Sequence, residues 1–257
     1  MIDKPTAEAN RVLAINSIVD CPARHLQRIA DTEHIKVLFR SINDEPDFGG
    51  QLVYKGAKAG ILVNTCIPSS GKHNFTFAHE LGHYFLRHPP SYVMDGQQGF
   101  RCTTTDMESS RSPQETEANH FAAALLMPEE PFRFAMVGSE LDFTLIGNLA
   151  RQFGVSKHAC CNRLLEFTKE PCIVVRSKGL EITEITMSLA ARGKMPALQQ
   201  IPLGTAAHTA ITAKKNQSGY AKCSPTSWPI QLSASIPLYE CTHGAWKHGV
   251  AMTILRW

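Results

Sequence analysis

Between Asn74 and His88 the chain reads NFTFAHELGHYFLRH, with His79 and His83 four residues apart and Glu80 directly after the first. Phe75, Phe77, Ala78, Leu81, Phe85 and Leu86 surround them. The apolar spacing predicts a helix over roughly 72–87 with much of its surface buried. Residues four apart on a helix lie on one face, one turn above another. Burying two imidazoles and a carboxylate on such a helix costs desolvation energy unless something satisfies them. Two unrelated histidines on an amphipathic helix would leave that cost unexplained. A zinc ion would satisfy it, taking one nitrogen each from His79 and His83 at about 2.0–2.1 Å. Zinc lowers the pKa of a water it holds to about 7 and polarises a carbonyl. Glu80, beside the histidine face, is then the base that takes the proton and later delivers it to a leaving amine.

A catalytic zinc usually has three protein ligands and one open position. Glu115 and Glu117 are the candidates for the third. They open a second helix, from about Ser112 to Leu126, that stops before Pro128. Its start, Ser112-Pro113-Gln114-Glu115, reads as a capping box with proline at the first helical position. Each glutamate could instead be a favourable charge at a helix N-terminus. The same ligand set would also accept Mn²⁺.

The rest of the sequence narrows the classes. Hydrophobic residues make up 43% of the 257, and charged residues 19%, as in a folded globular protein. A net charge of +3, without a run of like charges, argues against a general nucleic-acid or membrane-surface role. The eight cysteines form no C-x-x-C pair, which argues against a cysteine zinc site. With a polar start lacking an apolar leader and no long apolar stretch, the expectation is reduced thiols in a soluble cytoplasmic protein.

Along the chain, a helix is expected at 6–18 and a second after Pro22. Strands are expected at 35–42, 51–54 and 60–64. Residues 88–111 show no hydrophobic period and read as a long loop, either a lid or specificity element or a disordered insert. Three short helices are expected in 129–168, then β-like runs at 172–176, 180–187 and 250–255. The expected architecture is α+β: a domain over 1–138 that carries the metal motif, a helix-turn-helix-like segment over 139–169, and a β-rich C-terminal domain over 170–257. In the middle segment, Gly154-Val155-Ser156 forms the turn. A DNA-reading second helix would present Lys157, His158, Asn162 and Arg163. The slight basic excess favours packing, or docking of a protein, over direct DNA binding. His208, His243 and His248 lack metal-ligand spacing.

NFTFAHELGHYFLRH, followed after a loop by ETEANHFAAALLMP, resembles the ImmA/IrrE family of metallopeptidases. GILVN before these runs and LARQFGVS…RLLEF after them resemble it too, so the likeness spans about 10–168 and weakens beyond. The resemblance implies that 1–138 is a zincin-like metallopeptidase domain of the gluzincin kind, binding one Zn²⁺ per chain. The family's glutamate, three residues before the alanine of A-N-x-F-A, matches Glu115, and Asn119 would orient a ligating histidine. It implies cleavage of helix-turn-helix repressors, releasing stress-response or mobile-element genes. Asn74 departs from the pattern, which often has arginine there. Family relatives can carry a GAF-like sensory domain at the C-terminal end, for which 170–257 is short. By analogy with zincin-like folds, Gly60–Asn64 could take up an extended substrate by strand addition. Tyr84, His88, Tyr92 and Arg101 are candidates to stabilise the oxyanion. Two rivals remain: a transcription regulator with a non-catalytic zinc site, and an antitoxin-like interaction protein.

Overall fold

The computed structural model describes residues 3–45, 47–66, 69–94, 97–103, 112–195, 197–224, 226–233 and 235–257. These residues form a mixed α+β structure with two five-stranded sheets. The chain divides into two compact units. The first comprises Met1–Val137 and Gly147–Cys160, the second Gly138–Ile146 and Cys161–Trp257.

The first unit opens with α1 (Lys4–Ile15), capped by the Asp3 carboxylate on the Thr6 amide at 2.9 Å. A 3₁₀ turn at Pro22–His25 leads into α2 (Leu26–Thr32). Strands β1 (Lys36–Arg40), β2 (Phe48–Lys55) and β3 (Lys58–Asn64) follow, then α3 (Ser70–Phe85). The segment after α3 is not the irregular loop expected for 88–111. Tyr92–Met94 (β4) and Gln97–Thr103 (β5) form a hairpin, while 95–96 and 104–111 lie outside the described residues. The polar run Gln97-Gln98-Gly99 hid the period-two burial of Phe100 and Cys102. Gly99 passes so close to the Leu52 carbonyl that a Cβ there would overlap it.

The sheet order is β1-β3-β2-β5-β4, with β1 and β3 parallel and the other pairs antiparallel. This overturns one expectation. Gly60–Asn64 lies in β3, which has β1 on one side and β2 on the other, so its backbone has no open edge for a substrate.

Two of the three short helices expected after Pro128 run across the division between the units. They are α6 (Phe143–Phe153) and α7 (Lys157–Phe167), which follow α4 (Pro113–Leu126) and α5 (Glu129–Met136). Within the first unit, Asn74 donates from Nδ2 to the Gly154 carbonyl at 2.7 Å, tying the start of α3 to the turn after α6. Arg163 in α7 is buried, pairs with Glu166 at 2.5 Å and lies over the Phe167 ring, so it is not offered to DNA.

The second unit carries an antiparallel sheet of order β7-β6-β10-β9-β8. Its strands are β6 (Cys172–Lys178), β7 (Glu181–Met187), β8 (Ala221–Cys223), β9 (Leu238–Ala245) and β10 (Val250–Arg256). Helix α8 (Ala206–Thr212) packs on β9. Trp228, Leu238, Ile173, Val175 and Leu255 form the core. Within it the buried Glu240 carboxylate accepts from the Ala206 amide at 2.7 Å, the Ala207 amide at 3.1 Å and the Trp228 indole at 3.1 Å. One side chain thus caps α8 and fixes the central tryptophan. Glu240→Ala would strand those donors, at about 1–3 kcal/mol for each one left unsatisfied. The expected loss, read by urea unfolding, is about 3 kcal/mol; an unchanged midpoint would show that the three bonds contribute nothing net.

His243 is half-buried and satisfied: Nε2 donates to the Gln217 carbonyl at 2.9 Å and the ring stacks on Phe143. All eight cysteines are free thiols, and no helix among the described residues is long and apolar enough to cross a membrane.

Candidate metal centre

Helix α3 begins at Ser69, whose hydroxyl caps the Lys72 amide, and is buried almost all round from Thr76 to His83. It lies between the sheet strands β2 and β3 on one side and α4 on the other. The approach to α4 is close because position 82 is glycine. A Cβ there would meet the Ala118 Cα and carbonyl oxygen at 3.1 Å. The glycine inside the His-Glu-x-Gly-His run thus lets a second helix bring side chains to the histidines.

The N-terminal turn of α4 supplies them. Ser112 caps the Glu115 amide at 3.2 Å, with Pro113 in the first turn. The Glu115 carboxylate does not complete a capping box; it lies against both histidines. Its Oε2 is 3.0 Å from His79 Nε2, its Oε1 is 3.4 Å from His83 Nε2, and the two Nε2 atoms are 3.1 Å apart. Two donors each at the usual zinc distance and tetrahedral angle stand about 3.3 Å apart. The three edges measured here match that spacing. Glu115 Oε2 is buried and has no hydrogen-bond partner despite its nearness to His79. The distance is short but the angle is wrong for a hydrogen bond, as expected of donors that face a common point rather than one another.

Two glutamates separated by two helical positions point about 200° apart around the axis. Glu117 accordingly faces away from this point and sits 3.0 Å from His88 Nε2. Asn119, one turn after Glu115, places Oδ1 2.8 Å from His79 Nδ1. An amide oxygen only accepts, so in this contact His79 Nδ1 is the donor, which leaves Nε2 free to serve as a ligand atom.

Glu80 is fully buried between α3 and the sheet. Its Oε1 accepts from the Cys102 thiol at 2.7 Å, while Oε2 is buried with no hydrogen-bond partner. Gly50 on β2 makes the room: a Cβ there would strike Thr76 at 2.5 Å and stand 3.4 Å from Glu80 Oε1. Burial pushes the Glu80 carboxyl up to about 7, against the opposing pull of His79. Burial alone would lower His79, but the Glu115 and Glu80 carboxylates raise it on balance. Burial takes His83 down to about 4. Burial would raise Glu115, yet the two histidines beside it hold it well below the usual carboxylate range. Cys102 forms a second cluster with His79 and Glu80. Burial drives its thiol well above the ordinary range, so it stays a hydrogen-bond donor to Glu80 rather than a thiolate ligand.

The four oxyanion candidates are engaged elsewhere. Tyr84 donates to Glu33 at 3.2 Å and stacks on Tyr54. Tyr92 accepts from Gln51, and Arg101 pairs with Glu45 above the Phe48 ring. His88 lies behind His83. A cleft of about 420 Å³ lined by Tyr54, Tyr84, Arg87 and Gln98 reaches His88 but none of His79, His83 and Glu115. Nothing in the sequence pointed to Cys102 beside Glu80, because the contact joins β5 to α3 across the sheet.

The sequence model of the IrrE N-terminal-like domain, Peptidase_M78, matches residues 30–165. Among solved structures, a Mycobacterium tuberculosis transcriptional regulator has the same fold at a TM-score of 0.61 and 18% identity. The match covers 99% of this chain and 76% of that one. No curated protein matches the chain.

Proposed function

This chain belongs to the peptidase M78 family, a metal-dependent family defined by the IrrE N-terminal-like domain, and from that premise we propose that it is a zinc endopeptidase acting on a helix-turn-helix repressor. The observation that carries the reading is the convergence of His79 Nε2, His83 Nε2 and the Glu115 oxygens beside a buried Glu80 with an open oxygen. His79, His83 and Glu115 would hold the ion in a zincin-like domain. When bound, zinc supplies an acidified water and a polarised scissile carbonyl. Glu80 takes the proton of the attacking water as its oxygen bonds to the carbonyl carbon. As the C–N bond breaks, Glu80 returns that proton to the amine nitrogen. Cys102 and Gly50 hold the Glu80 carboxylate in place.

Among the described residues, an extended substrate has a candidate edge near this point. Strand β4 pairs with β5 only at Gln97, Gln98 and Gly99. Beyond them, Phe100–Thr103 pair with β2 alone among the described residues. Phe100 stacks on His83 at 4.1 Å and Cys102 touches Glu80, so a peptide added along this edge runs past the metal ligands. This replaces β3 as the docking strand. Repressor cleavage would derepress stress-response or mobile-element genes.

A second reading rests on the fold shared with a transcriptional regulator. In it, the chain binds DNA and does not cut protein. The buried, paired Arg163 counts against α7 as a recognition helix. Co-incubation of the zinc-loaded protein with the helix-turn-helix repressor encoded nearest its gene, followed by intact-mass spectrometry, tests both. A discrete cut absent from a Glu80→Gln control supports the peptidase. An intact repressor together with a sequence-specific gel shift favours the regulator.

A further inference from the structure

Helix α3 ends in a turn that brings the chain back onto its own metal face. Arg87 takes a left-handed conformation at φ +54°, its amide bonding to the Tyr84 carbonyl at 3.1 Å and the His88 amide to the His83 carbonyl at 3.2 Å. This pair of bonds is a Schellman ending, in which an apolar contact usually joins the residue after the turn to the helix. Here that contact is polar. His88 folds over His83, and the two Nδ1 atoms stand 2.9 Å apart. The other nitrogen of His88, Nε2, lies 3.0 Å from Glu117 Oε2 on α4. His88 is buried, whereas the Glu117 side chain is 42% exposed.

Only one proton arrangement is compatible with His83 Nε2 as a ligand atom. A ligand nitrogen bears no proton, so the N–H of His83 is on Nδ1 and donates to His88 Nδ1. His88, accepting there, carries its own proton on Nε2 and donates it to Glu117, which accepts as a carboxylate. Each polar atom of the chain is satisfied, and each direction is fixed by its neighbour.

We infer that His88 and Glu117 are positioning residues of the metal centre, locking His83 in the tautomer and ring orientation that offer Nε2. The inference rests on the zinc reading above. It gives the two histidines different supports: His79 is held by a neutral amide, His83 by a relay ending in a carboxylate near the surface. Carboxylate-backed histidines are better zinc donors, and losing such a partner typically weakens metal binding 10–100-fold. The two glutamates of α4 then act on the same ion from two sides, Glu115 directly and Glu117 through His88.

The test is zinc affinity of the metal-stripped full chain, measured by competition with a chromophoric chelator. Glu117→Ala, a change on the exposed side of α4, should weaken zinc about 10-fold. In a His88→Phe background, which keeps a ring against Phe100, the same change should cost nothing, because the relay is already cut. Unchanged affinity in Glu117→Ala, or an equal loss with and without His88, would overturn the inference. A second measurement does not depend on His88→Phe folding. Long-range ¹H–¹⁵N spectra of the zinc-loaded wild type should place the proton on Nδ1 of His83 and on Nε2 of His88. The opposite tautomer at His88 rules out the relay. A wild type that binds no zinc removes the metal reading and the relay together. A wild type that binds zinc tightly while Glu117→Ala is without effect removes only the relay.

Discussion

Glu80→Gln is expected to bind zinc as tightly as the wild type and to cut its protein substrate about 10²–10⁴-fold more slowly. The amide has the shape of the carboxylate, and its carbonyl can still accept from Cys102. What it lacks is a site for the proton of the attacking water. The variant should fold at least as well, since it replaces a fully buried carboxylate whose Oε2 has no partner by a neutral group. Zinc content and cleavage rate, taken from one preparation, separate the two roles. Cleavage at the wild-type rate would mean that the proton goes elsewhere, and the assigned mechanism would fail.

Removing a ligand acts earlier, at the ion itself. A ligand that binds only the folded state stabilises it by about 4 kcal/mol at 1,000 times its dissociation constant. For a chain of this size that corresponds to a rise in Tm on the order of 10 °C. The wild type should show this rise when excess zinc replaces chelator. His79→Ala and Glu115→Ala should show almost none, because two donors remain where three edges of a tetrahedron had been set. Glu117→Ala should keep most of the rise, since its side chain meets His88 and not the ion. A full zinc-dependent rise in Glu115→Ala would remove Glu115 from the ligand set. Both ligand variants should also lose cleavage.

The local rules reached far in this chain. The four-residue spacing of His79 and His83 places both rings on one face of any helix that forms there. The apolar residues between Phe75 and Leu86 make the helix form and bury it. Ser112 and Pro113 start α4 for reasons contained in four residues, and the proline-bounded helices after Pro128 follow from their own periodicity. The second sheet was legible only where its strands are rich in β-branched residues, at β6, β7 and β10. Strand β9 (LYECTHGA) owes its place to pairing with β10 along its whole length, and its buried Glu240 to the amides of α8.

By itself, then, the sequence determined the helix that carries His79, Glu80 and His83 and the start of the helix that carries Glu115 and Glu117. Only the tertiary structure decided which glutamate meets the histidines. That depends on the rotation of α4 against α3, set by the close contact at Gly82 and Ala118. It also decided that β3 is closed on both edges, that Cys102 holds Glu80, and that His88 turns back to join His83 to Glu117. The difference is one of range. Helical spacing and capping act within about four residues. The partner of a buried polar atom is set by whichever distant segment packs beside it.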